Sequence, residues 1–178
     1  CLEFASFKTL RASMSFWTRE TTADIGLRVF SNNLANLFKE TAVGMQNLII
    51  SDLERRQLNQ KIRHTSQWNV RFTINNELDY ECLMIMWLEE VLYRLEVHGE
   101  FLVDAQCMID FNEVEMVCQS QVSWIKSSDI KRELEIKAVT SHEFLIQELK
   151  QGQSFVGSEQ DIPEMVGPGW ICDVIFDI

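Results

Sequence analysis

Two carboxylates sit side by side at the end of the sequence, the side chain of Asp177 and the α-carboxylate of Ile178. They close an alternating segment, Trp170 to Ile178, that reads as a strand running to the last residue. Chain ends are commonly loose unless the structure ties them down. Two anionic groups about 4 Å apart repel by roughly 4 kcal/mol at an effective dielectric of about 20. A hard cation between them relieves that repulsion, so Asp177 and Ile178 form a candidate metal site. Asp24 is a further candidate, in a corner between Thr21-Thr22-Ala23 and Gly26. An aspartate there either bonds its own backbone or is presented to a metal. Asp177 likewise reads either as an outward residue on an edge strand or as a ligand, and spacing leaves both readings open. His142 follows Thr140-Ser141, with Lys137 five residues earlier. A lone histidine is more often a packed or solvated residue than a catalyst, and both are kept as candidate functional residues. No Ser/His/Asp order, H-E-x-x-H pair, P-loop or G-x-G-x-x-G is present.

The elements that must position these residues follow from periodicity. A short aromatic strand, Phe16 to Glu20, leads through the Thr21–Asp24 corner into a second strand, Ile25 to Phe30. Ser31-Asn32-Asn33 supplies cap chemistry. Leu34, Leu37, Phe38, Ala42, Met45, Leu48 and Ile49 then recur at helical spacing. Ser51-Asp52 ends this region, and Leu53 to His64 reads as a charged connection. Trp68, Val70, Phe72 and Ile74 alternate with polar residues as a half-buried strand. A second helix is expected from about Asp79 to Val97, stopped by Gly99. Its apolar face carries Leu83, Met86, Trp87, Val91 and Leu95, and is wide enough to pack on a sheet and a neighbour. Trp87, Tyr93, Met84 and Met86 read as core. Strands are expected over Phe101–Phe111, Val114–Ile125, Leu134–Val139 and His142–Leu149, the first pair joined by Asn112-Glu113. Gln151 to Gly169 is a long loop, mobile or functional by its length. The order is not a regular βαβ alternation, which predicts an α+β fold with helices against a mostly antiparallel sheet system.

At 178 residues and 20.8 kDa a single domain over 1–178 is expected, with 1–15 as a loose N-terminal segment and 151–169 as the long loop. A chain of this size buries about 70% of its unfolded surface and needs no staples. With 46% hydrophobic residues, 2 prolines and 7 glycines it reads as globular. No apolar run reaches the roughly 18 residues of a membrane span, and Cys1-Leu2-Glu3-Phe4 shows no secretory pattern. The 5 cysteines form no C-x-x-C pair and read as buried reduced thiols. That favours a reducing compartment, the cytoplasm, with the nucleus an alternative for a eukaryotic chain. Net charge is −11 with a pI near 4.7. Phosphate backbones repel such a surface, and the stretch from Arg55 to Arg63 reads as a solvated helix end. No direct nucleic-acid binding and no membrane are expected; a basic protein partner or a cation fits better.

Four segments in order resemble the archease family, small acidic protein cofactors of RtcB-type RNA ligases. Thr21-Thr22-Ala23-Asp24-Ile25-Gly26 is similar to the family's HTAD-[IV]-G corner, and Leu34 to Met45 resembles the helix that follows it. Trp87-Leu88-Glu89-Glu90-Val91-Leu92-Tyr93 resembles W-L-N-E-L-L-Y. Lys137 to His142 resembles KAVTYH, and Val174-Ile175-Phe176-Asp177-Ile178 resembles the closing V-x-[LF]-D-I. The resemblance spans about residues 16–178. It implies two β-sheets packed with two α-helices, and a metal site of Asp24, Asp177 and the terminal oxygens of Ile178. Calcium, or another divalent ion, is the implied cofactor, and an all-oxygen set suits it. The implied function is activation rather than catalysis. The family promotes guanylylation of the ligase, so that it turns over repeatedly. The ligase joins RNA ends bearing a 2′,3′-cyclic phosphate or 3′-phosphate to a 5′-hydroxyl, in tRNA splicing or RNA repair. Thr21 replaces the family's histidine, Ser141 replaces its tyrosine, and the 151–169 loop is longer than the family pattern. The rival readings are a metal-dependent hydrolase using Asp24, Asp177 and His142, and a generic chaperone or scaffold with a structural ion.

Overall fold

The computed structural model describes residues 13–18, 24–155 and 164–178. Strand β1 (Ser13–Thr18) pairs antiparallel with β2 (Asp24–Ser31). It begins inside the segment expected to be loose, while residues 1–12 and 19–23, including Thr21, lie outside the described residues. Asn33 converts β2 into helix α1 (Leu34–Ile49): its side chain accepts a hydrogen bond from the Asn36 N–H at 2.8 Å. That satisfies one of the orphan donors every helix start carries.

The charged connection after α1 is not irregular. Ser51 caps a short helix, α2 (Asp52–Gln57), by accepting from the Glu54 N–H, and a 3-10 turn over Leu58–Gln60 follows. Its lack of apolar periodicity hid it, because no α2 residue is buried. Strand β3 (His64–Thr73) alternates as expected, with Trp68 and Val70 buried. Helix α3 (Tyr80–His98) is capped by Asp79 at its start. At its end Gly99 takes a left-handed φ of 68°, which a Cβ would make costly. Trp87 is fully buried, and its indole N–H donates to the Phe38 carbonyl of α1 at 3.1 Å. Tyr93, by contrast, stands 49% exposed rather than in the core.

Strands β4 (Glu100–Phe111) and β5 (Glu115–Lys126) form the expected hairpin and, with β3, a sheet in the order β3-β5-β4. The two strands expected over 134–149 are one, β6 (Ala138–Leu149), carrying a bulge between Thr140 and Leu145. The polar bulge residues Ser141, His142 and Glu143 interrupt the alternation, so the strand reads as two. The long loop folds into a small hairpin of its own, β7 (Ser154–Phe155) with β8 (Met165–Val166). Residues 156–163 lie outside the described ones. Strand β9 (Gly169–Asp177) closes a four-stranded sheet of order β1-β2-β9-β6, antiparallel throughout.

The fold is therefore α+β, two antiparallel sheets packed with α1 and α3, extended by α2 and the β7–β8 hairpin. α1 packs on β2, β9 and β4, and α3 on β6, β3, β4 and β5, so each helix touches both sheets. Ile25, Leu27, Val29, Val174 and Phe176 meet Phe38, Met45, Leu88 and Phe101 in one continuous core. Of the free cysteines, Cys118 and Cys172 are buried, whereas Cys82 and Cys107 are only half-buried. Burial pushes the Cys172 thiol well above its usual range.

The opposite face of the four-stranded sheet holds a second cluster, Phe30, Leu149, Met165 and Ile171, with Phe155 packed against it. The β7–β8 excursion covers this face. At its centre Arg28 and Asp173 are direct cross-strand partners. The guanidinium grips both carboxylate oxygens, Nε to Oδ1 at 2.6 Å and Nη2 to Oδ2 at 2.7 Å, and lies 4.9 Å from the Phe155 ring. Arg28 is 2% exposed. A buried charge that loses its partner costs about 3–5 kcal/mol, whereas an apolar replacement of both is often neutral. Urea unfolding should show Asp173→Ala destabilised by about 3–5 kcal/mol and the double change R28M/D173L far less so. Equal losses in the two variants would show that the pair itself carries no specific weight.

Candidate metal centre

β2 begins with Asp24 and β9 ends with Asp177, and the antiparallel register sets these residues directly opposite one another. Ala138, the first residue of β6, pairs with Asp177 on its other side. Asp24, Asp177 and Ala138 thus form one rung across three strands at one end of the sheet. Residues directly opposite in an antiparallel pair project to the same face, with Cβ atoms about 4.5–5.5 Å apart. Two carboxylates so placed repel, and both are half-buried. Among the described residues neither accepts a hydrogen bond or meets a cation. Asp24 is not a turn aspartate bonding its own backbone: it is the first residue of β2.

Lys137 joins the same end. Its backbone N–H donates to the Asp177 carbonyl at 2.8 Å, and its Nζ donates to the main-chain oxygen of Ile178 at 3.1 Å. The lysine, exposed to solvent, thereby holds the last residue beside the aspartate pair. His142 does not join. It stands in the β6 bulge, its side chain 74% exposed and 3.7 Å from the Glu143 carboxylate. Glu143 adopts a left-handed φ of 55°, and three-residue insertions of this kind push side chains out of the sheet. Asp24, Asp177, Ile178 and Lys137 are gathered; His142 is set apart.

The donor set fits a hard divalent cation. Every candidate donor at the rung is an oxygen, as calcium and magnesium require. Among the described residues no group of three His, Cys, Asp or Glu side chains converges, and the further oxygen at this end is that of Ile178. One further group has the right placement. Thr140 pairs with Ile175, two rungs in from Asp177 and on the same face, and its buried Oγ1 has no hydrogen-bond partner among the described residues. A hydroxyl so placed can accept a bound water or face an ion. Sequence reasoning passed over Thr140, because a threonine in a strand is ordinary there. It also passed over Arg28 and Asp173, although charges interrupting apolar strands are a readable signal of an internal ion pair.

Comparison with known proteins identifies the family and the fold. The model of the Archease protein family (MTH1598/TM1083) matches residues 16–178. Protein archease of Pyrococcus furiosus is 26% identical over 136 residues, covering 75% of this chain and 89% of its own. Protein archease of Pyrococcus abyssi gives the same identity and coverage, and that of Thermococcus gammatolerans is 25% identical over 139 residues. The solution structure of Methanobacterium thermoautotrophicum protein 1598 superimposes with a TM-score of 0.54 at 19% identity, over 93% of this chain and 98% of that one. At that identity the likeness speaks for the fold alone. The family match is broader: it runs from β1 through the whole Asp24–Asp177 rung, and the chain belongs to the archease family.

Proposed function

We propose that this chain activates an RtcB-type RNA ligase, promoting guanylylation of the ligase and its multiple turnover, with a divalent ion held at the Asp24–Asp177 rung. The observation that carries the reading is the direct pairing of Asp24 with Asp177 at the sheet end where Lys137 positions Ile178. Asp24 and Asp177 hold the ion between neighbouring strands. Ile178 supplies an α-carboxylate oxygen, and Lys137 fixes where that oxygen points. Three carboxylates and one ammonium leave two negative charges, the charge a divalent cation neutralises. Calcium is the ion the family resemblance favours, and Thr140 offers a hydroxyl for it or for a water between. A bound divalent ion there would supply concentrated positive charge, the property that stabilises phosphate groups in nucleotidyl transfer.

The acidic surface supports the division of labour. At a net charge of −11 the chain repels RNA and attracts a basic protein, so it can dock on a ligase without competing for the ligase's substrate. The accessory role also fits the position of His142, which a hydrolase built on Asp24 and Asp177 would need at the rung. Free thiols at Cys82, Cys107, Cys118 and Cys172 fit a cytoplasmic setting. Among the described residues no helix is long and apolar enough to cross a membrane.

Two measurements test this. In a reaction of cognate ligase, GTP, manganese and RNA with 3′-phosphate ends, wild-type chain should raise the ligase above one turnover and Asp24→Asn should not. Equal stimulation by the two removes the rung from the mechanism. Calorimetric titration with calcium should show binding weakened by about tenfold or more when one residue is added after Ile178, with Tm unchanged, and a smaller loss for Thr140→Val. Unchanged affinity in the extended chain takes the α-carboxylate out of the ligand set.

A further inference from the structure

An open groove of mixed polar and apolar lining lies where the β4–β5 hairpin turns. Its walls are the turn after β3 and the tip of the β4–β5 hairpin: Ile74, Asn76, Glu77 and Leu78 on one side, Phe111, Asn112 and Glu113 on the other, around about 570 Å³. The turn leads directly into α3, where Tyr80 meets the Trp170 ring at the start of β9, while Asp177 lies at the strand's other end. Phe111 is 58% exposed, Leu78 42%, and neighbouring Val114 65%. Large apolar side chains exposed singly are common, but two facing one concavity with a third beside it mark an interaction surface.

Both walls are fixed before any partner arrives. The Ile74 N–H donates to the Val114 carbonyl at 2.8 Å, tying the turn to the hairpin. Asn112 accepts from the N–H groups of Val114 and Glu115 at 2.7 and 2.9 Å. Asn76 holds a left-handed φ of 74°, a conformation asparagine tolerates better than most residues. A groove already ordered loses little entropy on binding.

Charge decides the occupant. Glu77 and Glu113 lie in the groove wall and Asp79 beside it. None of the three meets a cation among the described residues, while the nearby Arg71 is engaged by Glu115 at 2.8 Å. A second copy of this chain would bring like charge against like, and a phosphate backbone or an anionic lipid surface would be repelled for the same reason. Exposed apolar side chains interleaved with carboxylates suit the reverse pattern. We infer that this groove docks a polypeptide segment of a partner protein in which a large apolar side chain is flanked by lysine or arginine. The apolar side chain seats between Phe111 and Leu78, and the basic flanks meet Glu77 and Glu113. This site is independent of the metal rung and of the identity of the ligase.

A random twelve-residue peptide library displayed on phage and panned on the full chain tests the inference. The enriched peptides should combine an aromatic or large aliphatic residue with flanking lysine or arginine. An enriched peptide should bind Phe111→Ser and the double variant E77K/E113K at least tenfold more weakly than wild type. Its affinity for wild type should fall with added salt. All the substituted positions are solvent-facing, and matching thermal melts establish that the variants fold. No enrichment, enrichment of uncharged or acidic peptides, or undiminished binding to Phe111→Ser overturns the inference. Sedimentation showing a wild-type dimer that Phe111→Ser abolishes also overturns it, by assigning the groove to a second copy.

Discussion

The pairing of β2 with β9 in a single register is the constraint on which the rest of the molecule depends. Slippage by one residue would turn Ile25, Leu27 and Val29 away from the helices and expose them. Slippage by two would set Arg28 opposite Ile171 or Ile175 and leave a buried guanidinium without its carboxylate. The Arg28–Asp173 pair therefore acts as a register pin.

The same register that satisfies Arg28 and Asp173 creates an unsatisfied rung at the strand end. Like charges directly opposite in a sheet are destabilising, by up to about 1 kcal/mol. Conflicts between local chemistry and the fold concentrate at functional sites. Here the conflict has a cure in view, since the last residue and Lys137 are gathered at the same spot and Thr140 turns an unpartnered hydroxyl toward that face. The β6 bulge adds a second effect. By expelling Ser141, His142 and Glu143 it breaks the outer edge of the sheet, which guards that edge against pairing with another chain.

Much of this was legible in the sequence. Helices α1 and α3 announced themselves through apolar periodicity, Asn33, Asp79 and Gly99, and the alternation of Trp68, Val70 and Phe72 marked β3. What escaped had physical causes. α2 buries nothing, so it leaves no periodic trace, and a cap at Ser51 holds it instead. The β6 bulge looks like a strand break because its residues are polar. The 151–169 segment resembles a loose loop, yet Phe155 and Met165 return it to the sheet as a cover. Tyr93 sits within an apolar run but on its outer side. At the site, Asp24 and Asp177 could be named as candidates from sequence, but their pairing joins the two ends of the chain and has no local signature. Resemblance supplied that link, and strand register now gives it a geometry.

The proposed cation site at the Asp24–Asp177 rung is open to direct observation. Amide NMR spectra of the intact chain titrated with calcium test it most directly. A cation held at the rung should give saturable shifts confined to the start of β2, the segment from Lys137 to Thr140, and the end of β9, with the amides around Arg28 and Phe111 unmoved. Shifts centred elsewhere, or none at calcium concentrations that saturate exposed carboxylates, would contradict it.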